Sequence, residues 1–133
     1  MSYPEPALTE VNRPLIEGWK RGDLVLQHCS ACGHVIYFPR AVCPHCWSQQ
    51  LDWKKHSGRG RVVSYSRVYS HVTQPFVDES PVTLAEIELE DGGAMLARIV
   101  DVPSEGKIGS GTVVGLVSMP AAQSYPLPTF KIV

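Results

Sequence analysis

The chain has 133 residues, of which 44% are hydrophobic and 19% charged, and its formal net charge is −1. This composition is ordinary for a globular protein and argues against wholesale disorder. It also disfavours a dedicated nucleic-acid binder, because such proteins usually carry a clear basic excess. No apolar run approaches the roughly 18 residues needed to cross a bilayer, and the N-terminus lacks the pattern of a secretory signal. We therefore expect a cytoplasmic protein with no membrane association.

Residues 1–22 are predicted to form a proline-rich arm and one short helix. Asn12 is placed to cap a helix that begins near Pro14, because proline fits the first helical turn. Leu15 and Trp19 lie one turn apart and form an apolar stripe, and Gly22 is a natural stop. Two interpretations of the stripe stay open: the helix packs on its own domain, or it docks onto a partner.

Residues 23–56 contain two C-x2-C pairs separated by ten residues and are predicted to form a zinc ribbon. Two residues between cysteines let both thiolates of a tight turn point at one ion, and two such turns complete a tetrahedral four-sulfur site. Gly33 follows the first pair, where the turn needs a residue tolerant of positive φ. Trp47 follows the second pair, so we expect that turn to be less regular. The predicted ligands are Cys29, Cys32, Cys43 and Cys46, flanked by strands at 24–27, 35–38 and 51–54.

Other interpretations of the four cysteines are weaker. Disulfides are disfavoured because cytosolic thiols stay reduced. Iron is chemically possible in a four-thiolate site, but zinc dominates structural sites of this kind. A closed shell of four thiolates leaves no open position for water, so the metal is predicted to be structural. The neighbouring His28, His34 and His45 are expected to surround the site or to be exposed rather than to bind the metal.

Residues 57–133 are predicted to form a five-stranded barrel of the OB type. Short strands rich in β-branched residues follow one another, and Asp91-Gly92-Gly93 signals a tight hairpin turn. Five short antiparallel strands suit a small Greek-key barrel. The predicted fold class is therefore mainly β: a short N-terminal helix, a zinc ribbon and a five-stranded OB-fold barrel. The predicted barrel strands cover 59–72, 82–89, 95–100, 112–119 and 129–133.

The long strand at 59–72 carries a stripe of basic and aromatic residues. Positive charge interleaved with aromatic rings can hold a phosphate while a base stacks, which suits single-stranded nucleic acid or a nucleotide-bearing cofactor such as coenzyme A. Alternatively, the tyrosines pack in the barrel and the arginines are merely solvated. A bulge partway along the strand would disturb the alternation of faces. Without one, period two places on one face Arg59, Arg61, Tyr65, Arg67, Tyr69 and His71.

Catalytic signals are weak along the whole sequence. No nucleophile elbow, phosphate-binding glycine loop, zinc-protease helix or paired-carboxylate motif occurs. His56 and His71 have no nucleophile nearby in sequence and are expected to be surface histidines. The acidic residues Glu86, Glu88, Glu90 and Asp91 are expected to be solvated. An independent hydrolase or transferase is therefore disfavoured, and the chain is predicted not to be an enzyme.

The order of these segments resembles the DUF35 family, which pairs a rubredoxin-like zinc ribbon with an OB-fold and is acyl-CoA-associated. The resemblance runs from about Leu15 to Val117 and includes the helix with Trp19 and Gly22. Cysteine spacing alone is shared by many ribbons, whereas the ordered set of motifs is more specific. Those motifs are CSACG at 29–33, FPR at 38–40, CPHC at 43–46, SGRG at 57–60 and LEDG at 89–92.

The resemblance implies a small subunit beside a thiolase-like enzyme, a hydratase or an acyltransferase that handles acyl-CoA. The partner would supply the catalytic residues, while this chain supports assembly and helps to enclose the CoA moiety. The metal-ligand role carries over to the four cysteines. For CoA contacts we expect Arg40, Arg59, Arg61 and Tyr65. The leading hypothesis is a non-catalytic zinc-ribbon and OB-fold subunit of an acyl-CoA-processing complex; the alternative is a single-stranded nucleic-acid-binding protein.

Overall fold

The computed structural model describes residues 6–68, 82–102, 108–118 and 125–133. These residues form one short helix, a three-stranded sheet and a closed five-stranded barrel. Within them, no helix has the length and apolar character needed to span a bilayer. The elements in chain order are α1 (Arg13–Lys20), β1 (Leu24–Cys29), β2 (Val35–Ile36), β3 (Leu51–His56), β4 (Arg59–Val68), β5 (Val82–Leu89), β6 (Ala94–Val100), β7 (Val113–Leu116) and β8 (Thr129–Ile132).

Helix α1 packs on its own domain, which decides between the two interpretations of its apolar stripe. Leu15 and Trp19 are completely buried, and the Trp19 indole N–H donates to the backbone carbonyl of Tyr125 at 2.8 Å. Gly22, at φ +86°, lies just beyond the end of the helix, as predicted. Asn12 occupies the N-cap position, but its side chain makes no capping bond to the helix. It accepts from the Thr9 amide and donates to the Ala7 carbonyl instead, so it stabilises the preceding turn.

The ribbon sheet has the strand order β2-β1-β3, and both pairings are antiparallel. β1 extends two residues beyond its prediction, to Cys29, and β2 is only two residues long. Leu24 and Leu26 on β1 are each 1% exposed. They join the main hydrophobic core rather than a separate ribbon core. β1 is therefore shared between the metal-binding module and the barrel.

The barrel closes in the order β4-β5-β6-β8-β7. Five strands were predicted, and five are present in the described residues. The prediction that all are antiparallel is wrong, because β8 runs parallel to β6. β8 is also antiparallel to β7, so this one strand closes the barrel between two neighbours of opposite direction. A mixed barrel results.

One continuous core holds the helix, the ribbon and the barrel together. Leu15 from α1 and Leu24 from β1 pack in the same cluster as Ile87, Val114 and Phe130 of the barrel, and each is at most 1% exposed. Burying such side chains stabilises the fold by about 1.5–3 kcal/mol each. Loss of the ribbon fold would therefore also remove side chains from the barrel core.

Two of the motifs that carried the family resemblance meet at the joint between ribbon and barrel. The Ser57 amide donates to the Asp91 carboxylate, and the Ser57 hydroxyl donates to Glu90 at 3.1 Å. In the same β5–β6 turn, Gly93 lies so close to the ribbon that an added Cβ would meet Val35 at 2.4 Å. SGRG and LEDG thus hold the turn through Ser57, and at the adjacent Gly93 only glycine permits the close approach to the ribbon.

Candidate metal centre

Two similar turns present the four cysteines. In the first, the Gly33 amide donates to the Cys29 carbonyl at 2.8 Å; in the second, the Trp47 amide donates to the Cys43 carbonyl at 2.8 Å. Gly33 has φ +81° and Trp47 has φ +67°. The expectation of a less regular second turn is therefore wrong: Trp47 adopts the left-handed conformation that glycine adopts in the first turn. For a bulky residue this conformation costs on the order of 1–2 kcal/mol.

The four thiol sulfurs converge on one point. All lie within 4.8 Å of one another, and the pairs Cys29–Cys46 and Cys32–Cys43 are separated by 3.5 and 3.7 Å. In a tetrahedral site, zinc–sulfur bonds of about 2.3 Å place neighbouring sulfurs about 3.8 Å apart. Cys29 and Cys43 are buried, whereas Cys32 and Cys46 are exposed. The geometry and the donor set fit a tetrathiolate zinc site, as the spacing predicted.

Proton affinities in the cluster differ because backbone N–H groups and neighbouring thiols surround each sulfur differently. Burial raises the pKa of Cys29, but the backbone N–H groups of Cys32 and Ala31, together with the thiols of Cys46 and Cys32, outweigh it and bring that pKa to about 7. The His34 amide lowers the pKa of Cys32, but burial and the other three thiols raise it to about 12. Four adjacent sulfurs cannot all ionise without a cation between them. A divalent ion is what would let all four act as thiolates.

The histidines beside the cysteines lie outside the sulfur cluster. Among the described residues, the group close enough to hold an ion consists of the four cysteines. His34 and His45 are exposed, and their rings stack with centres 5.4 Å apart. His28 and His56 lie with their Nε2 atoms 2.8 Å apart. None of the three neighbouring histidines is needed as a ligand, in agreement with the sequence.

His56 is buried, so the prediction of a surface histidine is wrong for this residue. It is only 5% exposed and ends β3, where its ring contacts His28 and lies 4.0 Å from the Asp91 carboxylate. Burial lowers the pKa of His56, although Asp91 pulls in the opposite direction. Period-two alternation on the short strand β3 could not show this, because the strand is exposed along most of its length. His71 lies outside the described residues.

Arg40 is held by the ribbon through its backbone. The Gln27 side chain donates to the Arg40 carbonyl at 2.8 Å and accepts from the Arg40 amide at 2.9 Å. Gln27 is itself only 4% exposed, so this pair of hydrogen bonds fixes the Arg40 backbone. The Arg40 side chain is exposed and lines a surface depression of about 530 Å³ with Trp47.

The basic and aromatic stripe predicted on β4 is divided by a β-bulge at residues 62–64. Before the bulge, Arg61 lies opposite the exposed Glu88; after it, Tyr65 lies opposite the completely buried Ala85. Directly opposed residues share a face of the sheet. The prediction of a single face is therefore wrong: Arg61 shares a face with Glu88, whereas Tyr65 shares the opposite face with Ala85 and is nevertheless 44% exposed. Tyr69 and His71 lie outside the described residues.

The four residues predicted to bind CoA are distributed over different surfaces. Arg59 and Arg61 line a depression of about 440 Å³ with the acidic Glu88 and Glu90. Arg40 lines the separate depression on the ribbon. Tyr65 is 44% exposed and lies beyond the bulge. The structure pairs Arg59 with Arg61 and does not bring the other two residues into their depression.

A buried arginine on the barrel was missed by the sequence analysis. Arg98 on β6 is 3% exposed, and its guanidinium lies 4.3 Å from the centre of the Tyr125 ring. Arg98 lies opposite Leu84 and Thr129 in the sheet. The sequence analysis assigned no role to Arg98, and only the apolar residues around it along the strand could have indicated its burial.

Comparison with known proteins agrees with both halves of the fold. The model described as the rubredoxin-like zinc ribbon domain of ChsH2 matches residues 17–52, and that of the ChsH2 C-terminal OB-fold domain matches residues 53–120. A DUF35 domain-containing scaffold protein of Methanothermobacter thermautotrophicus is 38% identical over 92 residues, which cover 68% of each chain. The chain belongs to the DUF35 family. Its zinc-ribbon and OB-fold organisation is thereby established.

This DUF35 chain is also similar to a protein named as an enzyme subunit and to chains of two solved structures. A probable enoyl-CoA hydratase alpha subunit of Thermomonospora curvata is 34% identical over 96% of this chain, which spans only 39% of that protein. A chain in the solved structure of an Ltp2-ChsH2(DUF35) aldolase matches with a TM-score of 0.78 and 31% identity, over 96% of this chain and 98% of that one. A DUF35 protein of unknown function from Sulfolobus solfataricus shares the fold, with a TM-score of 0.62 and 20% identity over 93% and 86% of the two chains.

Proposed function

We propose that this DUF35 chain is a non-catalytic, zinc-binding subunit of an acyl-CoA-processing complex, whose thiolase-, hydratase- or aldolase-type partner supplies the catalytic residues. The observation that carries the proposal is the match to the ChsH2(DUF35)-containing aldolase, which covers nearly the full length of both chains. Relatives named as a hydratase subunit and as scaffold proteins support the same role. A cytoplasmic location stays a prediction.

The proposed zinc ion is structural. Four thiolates complete a tetrahedral shell and leave no position for a substrate or an activated water. The ion would hold the two cysteine turns together and keep β1 in the core that it shares with the barrel. Its contribution to function is therefore to fix the shape of the ribbon surface.

Contact with CoA remains a prediction for Arg40, Arg59, Arg61 and Tyr65. The carboxylates of Glu88 and Glu90 share the depression of Arg59 and Arg61 and oppose an incoming phosphate. We therefore propose that the isolated chain has little affinity for CoA and that any binding needs the partner. Calorimetric titration of CoA into the chain alone and into the complex tests this point; equal affinity in both would refute it.

The nucleic-acid alternative loses the stripe on which it depended. Stacking a base while holding its phosphate needs aromatic and basic groups on one surface, and the bulge places Arg61 and Tyr65 on opposite faces. Salt-dependent binding of a single-stranded oligonucleotide, weakened by Arg61→Ala, is the result that would restore this alternative.

The subunit proposal is tested by recovering the native complex. The tagged chain is purified from its own cells, and the co-eluting proteins are identified and weighed by native mass spectrometry. We expect a thiolase-, hydratase- or aldolase-like protein in fixed stoichiometry, with acyl-CoA turnover by the complex and none by the isolated chain. An isolated chain that turns over acyl-CoA, or one that elutes alone, would contradict the proposal.

A further inference from the structure

Trp47 is the most exposed large hydrophobic residue in the part of the chain that the structure describes. Its residue exposure is 77%, whereas Trp19 is completely buried. Trp47 also occupies a backbone position with φ +67°, which is Gly33 in the matching turn. A glycine would adopt this conformation without strain. The fold thus holds a large aromatic ring in water at a position where a smaller residue would be more stable, and neither packing nor turn geometry accounts for it.

Arg40, in the same depression, lacks a counter-charge within the described structure. Among the described residues, no carboxylate oxygen lies within 4.0 Å of its guanidinium. The sequence itself has no aspartate or glutamate from residue 24 to residue 51. Because Gln27 fixes its backbone at both the amide and the carbonyl, Arg40 is displayed from a rigid base. A partner carboxylate is the complement that this arrangement lacks.

The depression has the composition of the centre of a protein interface. Interface centres are depleted of most charged residues and enriched in aromatic residues and arginine, and tryptophan and arginine are the commonest residues of high binding energy. Here the ring and the guanidinium are joined by small apolar residues around a concave surface of about 530 Å³. Those residues are Ala41, Val42 and Pro44.

We propose that Trp47 and Arg40 form the docking contact between the ribbon and the catalytic partner subunit. The partner places an apolar pocket over the Trp47 ring and a carboxylate against Arg40. This inference rests on the proposed function, because it requires that a partner subunit exists. It adds the location of the contact, which lies at the second cysteine turn rather than on the barrel.

A second apolar depression provides the matched control. Leu96 on β6 is 59% exposed and lines a barrel depression of about 470 Å³ with Phe38. If the barrel were the docking surface, Leu96→Ala would weaken the complex. If the ribbon is the docking surface, Leu96→Ala removes exposed apolar surface from the barrel without effect on binding.

The test measures the affinity of the full-length chain for the partner recovered from the native complex. We expect Trp47→Gly to weaken binding at least tenfold while keeping one metal ion per chain and an unchanged or higher melting temperature. Arg40→Gln should weaken binding and also flatten its dependence on salt, because the lost contact is ionic. Leu96→Ala should bind within twofold of the unaltered chain.

Several outcomes overturn the inference. One is a Trp47→Gly variant that retains its metal and binds the partner within twofold of the unaltered chain. Another is a loss of affinity for the partner in the Leu96→Ala variant alone. Should Trp47→Gly fail to fold, a photo-crosslinking amino acid at position 47 must still link to the partner, and one at position 63 on the barrel must not. Failure of the unaltered chain to bind any acyl-CoA enzyme would refute the proposed function itself, and that result is distinct from equal binding by all variants.

Discussion

Replacing Cys43 by serine removes a buried metal ligand and tests how far the ribbon supports the barrel. Cys43 is completely buried and packs with Cys29 and Ile36. A structural zinc ion is worth about 10–16 kcal/mol in zinc-finger peptides, which equals or exceeds the whole stability of a typical domain, about 5–15 kcal/mol. Unfolding of the ribbon would also remove Leu24 and Leu26 from the shared core. At about 1.5–3 kcal/mol for each side chain, the barrel would lose about 3–6 kcal/mol.

The assay combines metal analysis with chemical unfolding. We expect Cys43→Ser to contain no zinc, to exchange the amide hydrogens of β1 rapidly and to unfold at a much lower denaturant concentration. Ser30→Ala is the control. Ser30 lies in sequence between the ligands Cys29 and Cys32, and the change removes only the exposed hydrogen bond that its hydroxyl donates to the Gln50 carbonyl. That variant should change stability by less than about 0.5 kcal/mol. A Cys43→Ser protein that keeps one equivalent of metal and the original stability would show that Cys43 is not a ligand on which the fold depends.

Two further predictions concern buried side chains. Trp19→Ala should lower the free energy of unfolding by about 3–5 kcal/mol, measured by denaturant titration; a loss below 1 kcal/mol would mean that the helix does not anchor on the barrel. Burial and Lys54 lower the pKa of His56, while Asp91 raises it, and His28 is in contact with it. The unfolded chain therefore takes up a proton first, and stability should fall as the pH drops below about 6.5. His56→Gln should reduce this dependence of the free energy of unfolding on pH at constant metal content. An unchanged pH dependence would contradict the prediction.

The metal site could be predicted from spacing because the chemistry is local. Two residues between cysteines bring both sulfurs to one side of a turn, and the structure places all four within 4.8 Å of one another. The regularity of the second turn could not be predicted. Sequence preference assigns positive φ to glycine, whereas here the Cys43 carbonyl and the convergence of four sulfurs impose it on Trp47.

The barrel strands were visible as β-branched runs, but the faces of β4 were not. Period-two reasoning carries the phase of a strand forward residue by residue, and a single bulge at residues 62–64 reverses it for every later residue. Arg61 and Tyr65 therefore lie on opposite faces of the strand, and nothing in the amino-acid composition of the strand indicates it. The parallel pairing of β8 with β6 could not be predicted from the strand sequences either, because it depends on which edge of the barrel the last strand joins.

The shared core links the metal to the proposed docking surface. Trp47 keeps its left-handed backbone because its amide is bonded to the Cys43 carbonyl inside a closed turn. The ion would also hold this turn against the first one, so we expect its removal to free the ring from its position. Arg40 depends on Gln27 of β1, whose strand ends at the ligand Cys29. Both contact residues are therefore positioned by the same metal site, and removal of the metal by a chelator should abolish partner binding.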